Sequence, residues 1–305
     1  MPKIRQRILA VKRQGYIPIV YSHAGAGASL LRETTVLRLA RSFGAYTVLQ
    51  IHAPELNRYV QARLPTALLK RALGPVDCTC VLTDWWKARL TSVYHSGIVT
   101  VVPNPMPPDL ERTAEQYGGP HRTPSSEVRL LAMARLVAGK GVDVAIRALA
   151  LLPERVRLVI GGDGPERVVL TRLASELGVA GRVEFKGWVG GEDKARLLAD
   201  ADIFCLPSTY DAFPMSMVEA MAYGIPVVAA RWGGIPDVVP HGRAGFLADA
   251  PEPECVAEAV RPLLDAQLRA RTGEGANAWV RQLSSSSAVG NILKDVFGRT
   301  IKDTQ

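Results

Sequence analysis

PSTYDAFPMSMVEAMAYGIPVVAARWGGIPDVV, residues Pro207–Val239, decides how this 305-residue chain is read. The apolar run ADIFCLP ahead of it predicts a buried strand. A loop closed by Asp211 then leads into a helix that carries Glu219 two turns in. Two carboxylates are thereby held around a helix N-terminus. Unpaired backbone N–H groups and the positive end of the helix dipole suit a phosphate or diphosphate there, while carboxylates accept hydrogen bonds from hydroxyl groups. Anion and polyol in one pocket describe a nucleotide sugar. An isolated acid pair is ordinarily a helix cap and a solvated side chain. The case for a site comes from Pro207, Gly224, Pro226, Gly233, Gly234 and Pro236, which punctuate two strand–loop–helix units whose loops lie side by side.

On these residues the segment resembles the carboxylate signature of retaining GT-B glycosyltransferases of family four (glycosyl transferases group 1). In that signature a Glu, seven residues and a second Glu precede an EAMA-x-G-x-PVVA run. Glu219-Ala220-Met221-Ala222, Gly224 and Pro226-Val227-Val228-Ala229 fit it, and Asp211 stands where the first Glu is usual. Asp keeps the charge and shortens the reach by one methylene. The resemblance implies an α/β chain of GT-B type, with two Rossmann-like domains facing across a cleft.

Upstream motifs extend the likeness. RLLAMARLVAGKGVDVAIRALALL reads as a strand, a Gly-containing loop and a helix. In the family the Arg and Lys of this loop bind the donor diphosphate, which assigns Arg135 and Lys140, joined by the first-turn amides at Met215 and Ser216. Arg forks onto phosphate oxygens and Lys adds a mobile point charge. VRLVIGGDGPE runs a strand into Gly162 and Gly164, but the dinucleotide spacing fails at its third glycine and no acid is placed to read a ribose, so a dehydrogenase is set aside. In the family that loop borders the nucleotide pocket, and the segment through Val189 lies against the base. Glu219 is implied for the ribose hydroxyls and Asp211 for the sugar.

IPIVYSHAGAGASLLRETTVLRLARSFGAYTVLQIHAPELN reads as a βαβ unit with strands ending at His23 and His52. The resemblance implies that His52 projects into the cleft near the donor sugar, and His23 lies nearer a substrate loop. Trp85 and Trp86 read as core, and Asn104-Pro105 as a turn at the hinge. The polar, Pro- and Gly-rich stretch over 108–126 sets a domain boundary, giving a partial acceptor-side domain over 1–118 and a nucleotide-sugar domain over 119–305 that ends in a crossing helix. No Gly-rich strand–loop opens the first domain, which is therefore expected to be incomplete.

The formal net charge is +8, and the whole excess lies ahead of Gly119. Lys3, Arg5, Arg7, Lys12 and Arg13, interleaved with Ile4, Ile8, Leu9 and Val11, make a basic amphipathic helix suited to an anionic membrane surface. No recognition fold or aromatic platform supports nucleic acid. No apolar run reaches the roughly 20 residues that span a bilayer, and no signal peptide is visible, so a cytoplasmic protein, peripheral at the inner membrane face, is expected. Cys78, Cys80, Cys205 and Cys255 have neither zinc-site nor disulfide-framework spacing, and no metal or bound cofactor is expected.

The function expected is a retaining glycosyltransferase that moves a hexose from a nucleoside diphosphate sugar to a glycan or lipid-linked glycan in polysaccharide biosynthesis. The alternatives are a catalytically silent nucleotide-sugar-binding remnant or subunit, and a peripheral membrane scaffold. Turnover of a donor separates the first from an enzyme, and nucleotide binding separates both from the second.

Overall fold

Short apolar runs bounded by Gly, Pro and polar residues form parallel strands here, and the amphipathic stretches between them form the crossover helices. The computed structural model describes residues 2–61, 63–95, 97–116 and 126–302. It divides into unit 1, Met1–Asn104 with Val289–Gln305, and unit 2, Pro105–Ala288.

Unit 1 runs α1 (Pro2–Arg13), β1 (Ile19–Ala24), α2 (Ala28–Ser42), β2 (Tyr46–Ile51), α3 (Leu56–Gln61), α4 (Arg63–Leu73), β3 (Cys78–Val81), α5 (Asp84–Thr91) and β4 (Ile98–Val101). Its sheet is parallel in the order β1-β2-β3-β4, so β1 is an edge strand. Right-handed crossovers, the rule for parallel strands, carry connecting helices over a single face when strands follow one another in chain order. Val48, Cys78, Cys80 and Val102 form a core with Val289 and Val296 of the last helix. The apolar side of α1 is also consumed: Ile8 is buried with Ala40 and Ala45, and Ile4 packs on the same cluster. What α1 turns outward is charge without a free apolar face. Among the described residues no helix is long and apolar enough to cross a membrane.

Unit 2 runs α6 (Pro108–Gln116), β5 (Val128–Met133), α7 (Val142–Ala150), β6 (Val156–Gly161), α8 (Arg167–Glu176), β7 (Val183–Gly187), α9 (Gly191–Ala199), β8 (Ile203–Cys205), α10 (Met215–Ala222), β9 (Val227–Ala230), α11 (Ile235–Val238), β10 (Gly245–Ala248), α12 (Pro253–Val260) and α13 (Ala266–Ser284). The final helix, α14 (Ser286–Lys302), passes into unit 1 at Val289. The six strands are all parallel, in the order β10-β9-β8-β5-β6-β7. Strands such as Val227–Ala230 are buried at every position, as befits a sheet covered on both faces.

The boundary expected at 118/119 lies outside the described residues. The units part earlier, between Asn104 and Pro105, because α6 is tied to unit 2. Its Ala114 carbonyl accepts from the buried Asn277 side chain at 3.0 Å, and the Met106 N–H just ahead of it donates to the Ser284 carbonyl at 2.7 Å.

Candidate functional site

The strand order of unit 2 creates a topological switch point. From β5 the chain moves outward through β6 and β7, then returns to place β8 on the other side of β5, with Leu130 opposite Ile203 and Leu131 opposite Phe204. The loops leaving the carboxyl ends of β5 and β8 therefore stand at the switch point, the usual place for a ligand in an open α/β sheet.

These two loops are stitched together. The Thr209 N–H donates to the Gly139 carbonyl at 2.8 Å. Gly141 has φ +76°, and a Cβ there would lie 2.3 Å from the Pro207 carbonyl oxygen, so only glycine allows the approach. Gly141→Ala should cost about 2–4 kcal/mol from left-handed strain and overpacking together, read as a lower urea midpoint with unchanged slope.

The stitched loops bring Lys140 onto Asp211. The Lys140 ammonium lies 2.6 Å from Asp211 Oδ1, with both side chains more than four-fifths buried. The buried Ser208 hydroxyl takes up the other oxygen, Oδ2, at 2.5 Å and accepts from the Tyr210 N–H at 3.2 Å. The residues expected to bind diphosphate and sugar are thus partners of each other. Arg135 is exposed on the same β5 loop.

Directly after Asp211 the chain enters α10. Pro214 precedes the helix and no side chain caps it, leaving the half-open Met215 and Ser216 at its positive end. Glu219 stands little more than one turn into α10 rather than two. Its Oε1 accepts from the Lys194 ammonium at 2.7 Å, across from α9. Sequence reading missed Lys194, as it missed Ser208. A lysine on an amphipathic helix carries no motif, and only the fold brings it to Glu219.

The glycine loop after β6 is closely packed. A Cβ on Gly162, at φ +146°, would lie 1.9 Å from the Ala134 carbonyl oxygen. Gly164 is close to Leu136 in the same way, and the Leu136 N–H donates to the Asp163 carbonyl at 2.9 Å. These glycines seat the loop that carries Arg135. Val189 follows β7 and packs over Gly161, beside the fully solvated Trp188, 81% exposed.

On unit 1, His52 directly follows β2, with its N–H donating to the Ala24 carbonyl at 3.0 Å. Its Nε2 is 2.8 Å from Nδ1 of the exposed His23. Burial, and then the neighbouring His23, push the His52 pKa below the ordinary histidine value. Among the described residues no group of three or more His, Cys, Asp or Glu could hold a metal ion.

The profile of the family described as glycosyl transferases group 1 matches residues 115–279, more than half of the chain and nearly all of unit 2. The chain belongs to the glycosyl transferases group 1 family. The two loops and α10 described above lie inside the matched stretch. This group 1 glycosyltransferase is 30% identical over 301 residues to a GDP-mannose-dependent alpha-(1-6)-phosphatidylinositol monomannoside mannosyltransferase of Mycolicibacterium smegmatis, covering 91% of this chain and 75% of that one. The protein of the same description from Mycobacterium tuberculosis is 35% identical over 302 residues, 92% of this chain and 75% of that one. Among solved structures, sucrose-phosphate synthase from Thermosynechococcus elongatus superposes with a TM-score of 0.75 at 23% identity, over 99% of this chain and 78% of that one. Anabaena HepE in complex with UDP and glucose gives 0.72 at 22% identity, over 97% and 81%. These likenesses show the fold, which is of GT-B type.

Proposed function

We propose that the chain transfers a hexose, with retention at the anomeric carbon, from a nucleoside diphosphate sugar to a glycan or lipid-linked glycan acceptor. The observation that carries this reading is the Lys140–Asp211 pair at the switch point, against the uncapped start of α10. A cation and a carboxylate in contact at a helix N-terminus suit a ligand that is both anion and polyol. In support, a structural relative was solved with UDP and glucose, and sequence relatives are described as using GDP-mannose on a phosphatidylinositol mannoside.

In this reading donor binding exchanges partners. Lys140 leaves Asp211 for the diphosphate, where Arg135 and the amides of Met215 and Ser216 join it. Asp211, still held by Ser208, accepts from a sugar hydroxyl. Glu219 accepts from the ribose, and Gly162, Gly164 and Val189 border the nucleotide. Positive charge fixed before the reaction stabilises the charge that develops as the diphosphate departs. The acceptor oxygen bonds to the anomeric carbon on the face the diphosphate vacates, and its proton passes to the departing phosphate. His52 is the group on unit 1 that we assign to the reacting sugar. No bound metal or cofactor enters this scheme.

Lys194 enters the scheme by engaging one oxygen of Glu219 and leaving Oε2 for the ribose. Lys194→Met should weaken nucleoside diphosphate binding by roughly 0.5–1.5 kcal/mol. It should also shrink the penalty paid by a 2′,3′-dideoxy analogue, read by calorimetry with both ligands. An unchanged penalty would detach Lys194 from the ribose.

The outward cations of α1 suit anionic headgroups held by charge alone, because the apolar side of that helix is buried. The function itself is tested by incubating the full chain with a panel of nucleotide sugars and a bacterial lipid extract. A product with the donor's anomeric configuration is expected. An inverted product would remove the retaining mechanism, and tight donor binding without transfer or hydrolysis would replace the enzyme with a binding protein.

A further inference from the structure

Two imidazoles meet where β1 and β2 end. Strand register sets His23 opposite Gln50, so His52 stands just past it, anchored by its bond to Ala24. The ring centroids are 5.1 Å apart and the planes inclined by 21°. Tyr21 packs on His23 with centroids 4.7 Å apart. The Tyr21 hydroxyl bonds to the Gln50 carboxamide, whose Nε2 donates to the Val102 carbonyl at 2.8 Å. Register and this buried chain of contacts fix where the His23 ring lies.

At 2.8 Å the facing nitrogens hold one proton between them. Two N–H groups pointed at each other repel, as do two lone pairs, so one ring donates and the other accepts. Exposure decides which. His23 is exposed, whereas His52 is half-buried and burial disfavours its charged form. Among the other titratable groups around the pair, Tyr21 stays a neutral phenol because burial raises its pKa. Glu33 on α2 is taken up by Ser22 and Arg32. Glu55 follows in the loop after β2. With His52 kept neutral by burial, the shared proton is placed on His23 Nδ1, which donates to His52 Nε2.

We infer that His23 is a positioning residue that holds His52 neutral and in its Nδ1–H tautomer, with Nε2 occupied. The functional half of this inference rests on the proposed contact of His52 with the reacting sugar. So held, His52 donates a hydrogen bond to a sugar hydroxyl and is no base, which agrees with a scheme where the leaving phosphate takes the acceptor's proton.

Long-range ¹H–¹⁵N correlation of the imidazole nitrogens in the full-length chain reads the tautomer with or without turnover. The wild type should show His52 protonated at Nδ1. His23→Ala should return it to the Nε2–H form, and His23→Asn, whose amide N–H occupies the place of Nδ1, should retain the Nδ1–H form. In transfer assays His23→Ala should lower kcat roughly tenfold, the worth of about one hydrogen bond, with donor KM little changed, and His23→Asn should restore most of it. Three results overturn the inference: His52 protonated at Nε2 in the wild type, a tautomer indifferent to His23→Ala, or an unaltered kcat despite a switched tautomer. If His52→Ala itself leaves transfer intact, the assignment of His52 to the sugar fails, and the functional half of the inference fails with it. The tautomer result stands apart from that failure.

Discussion

Asp211→Ala is expected to cut sugar transfer by roughly 100- to 1,000-fold, the usual cost of losing one preorganised polar contact to a reacting group, while affinity for free nucleoside diphosphate holds or rises. The second half follows from the Lys140–Asp211 pair, because removing Asp211 frees the ammonium that the diphosphate otherwise competes for. Loss of both transfer and nucleotide binding would mean that Asp211 supports the loop more than the sugar. Asp211→Glu is a useful companion. Ser208 and Lys140 both grip the shorter carboxylate, so a longer one must displace a partner, and activity should survive only if the sugar accommodates it.

Lys140→Ala should weaken nucleoside diphosphate binding by about 1.5–3 kcal/mol, roughly 10- to 150-fold, and leave the bare nucleoside almost untouched, since the lost charge-assisted bonds face phosphate. The pair supplies a sharper form of this expectation. In the single variant Asp211 is left beside an incoming dianion without its ammonium, so repulsion adds to the lost attraction. Lys140→Ala/Asp211→Ala should therefore recover part of the affinity, giving the order Asp211→Ala at or above wild type, then the double variant, then Lys140→Ala. Calorimetry on the four proteins reads this order. Additive losses would show that the two side chains do not share the ligand.

The second unit was legible because most of its strands carry apolar runs, LVIG and VVAA among them, broken by Gly and Pro at the loops. Such runs announce a covered parallel sheet. Strand order is another matter. That β8 returns beside β5 depends on pairings more than seventy residues apart, and only that return sets Lys140 against Asp211. Lys194 was invisible for a similar reason: its partner is 25 residues away on another helix, and alone it reads as a solvated cation.

Spacing and periodicity alone do not tell what a residue packs against. Gly162 and Gly164 stood out by spacing, and the close approach they allow to the backbone of the Arg135 loop is visible only in the structure. The first thirteen residues read as a lipid-facing amphipathic helix, but Ile8 spends that face on the core of unit 1. A hydrophobic stripe tells that a helix has a partner, not which one. His52 was found as the end of a strand, while its bond to His23 needed the register of β1 on β2.

In the proposed function a nucleotide sugar binds where α10 begins, with Glu219 on its ribose. The most direct test of this is a calorimetric titration of the full-length wild-type chain and of Glu219→Ala with UDP and with GDP. Saturable binding of at least one is expected in the wild type, weakened by about 1–3 kcal/mol in the variant through the lost bonds to a charged acceptor. Absence of binding by the wild type, or equal affinity in the two proteins, would contradict it.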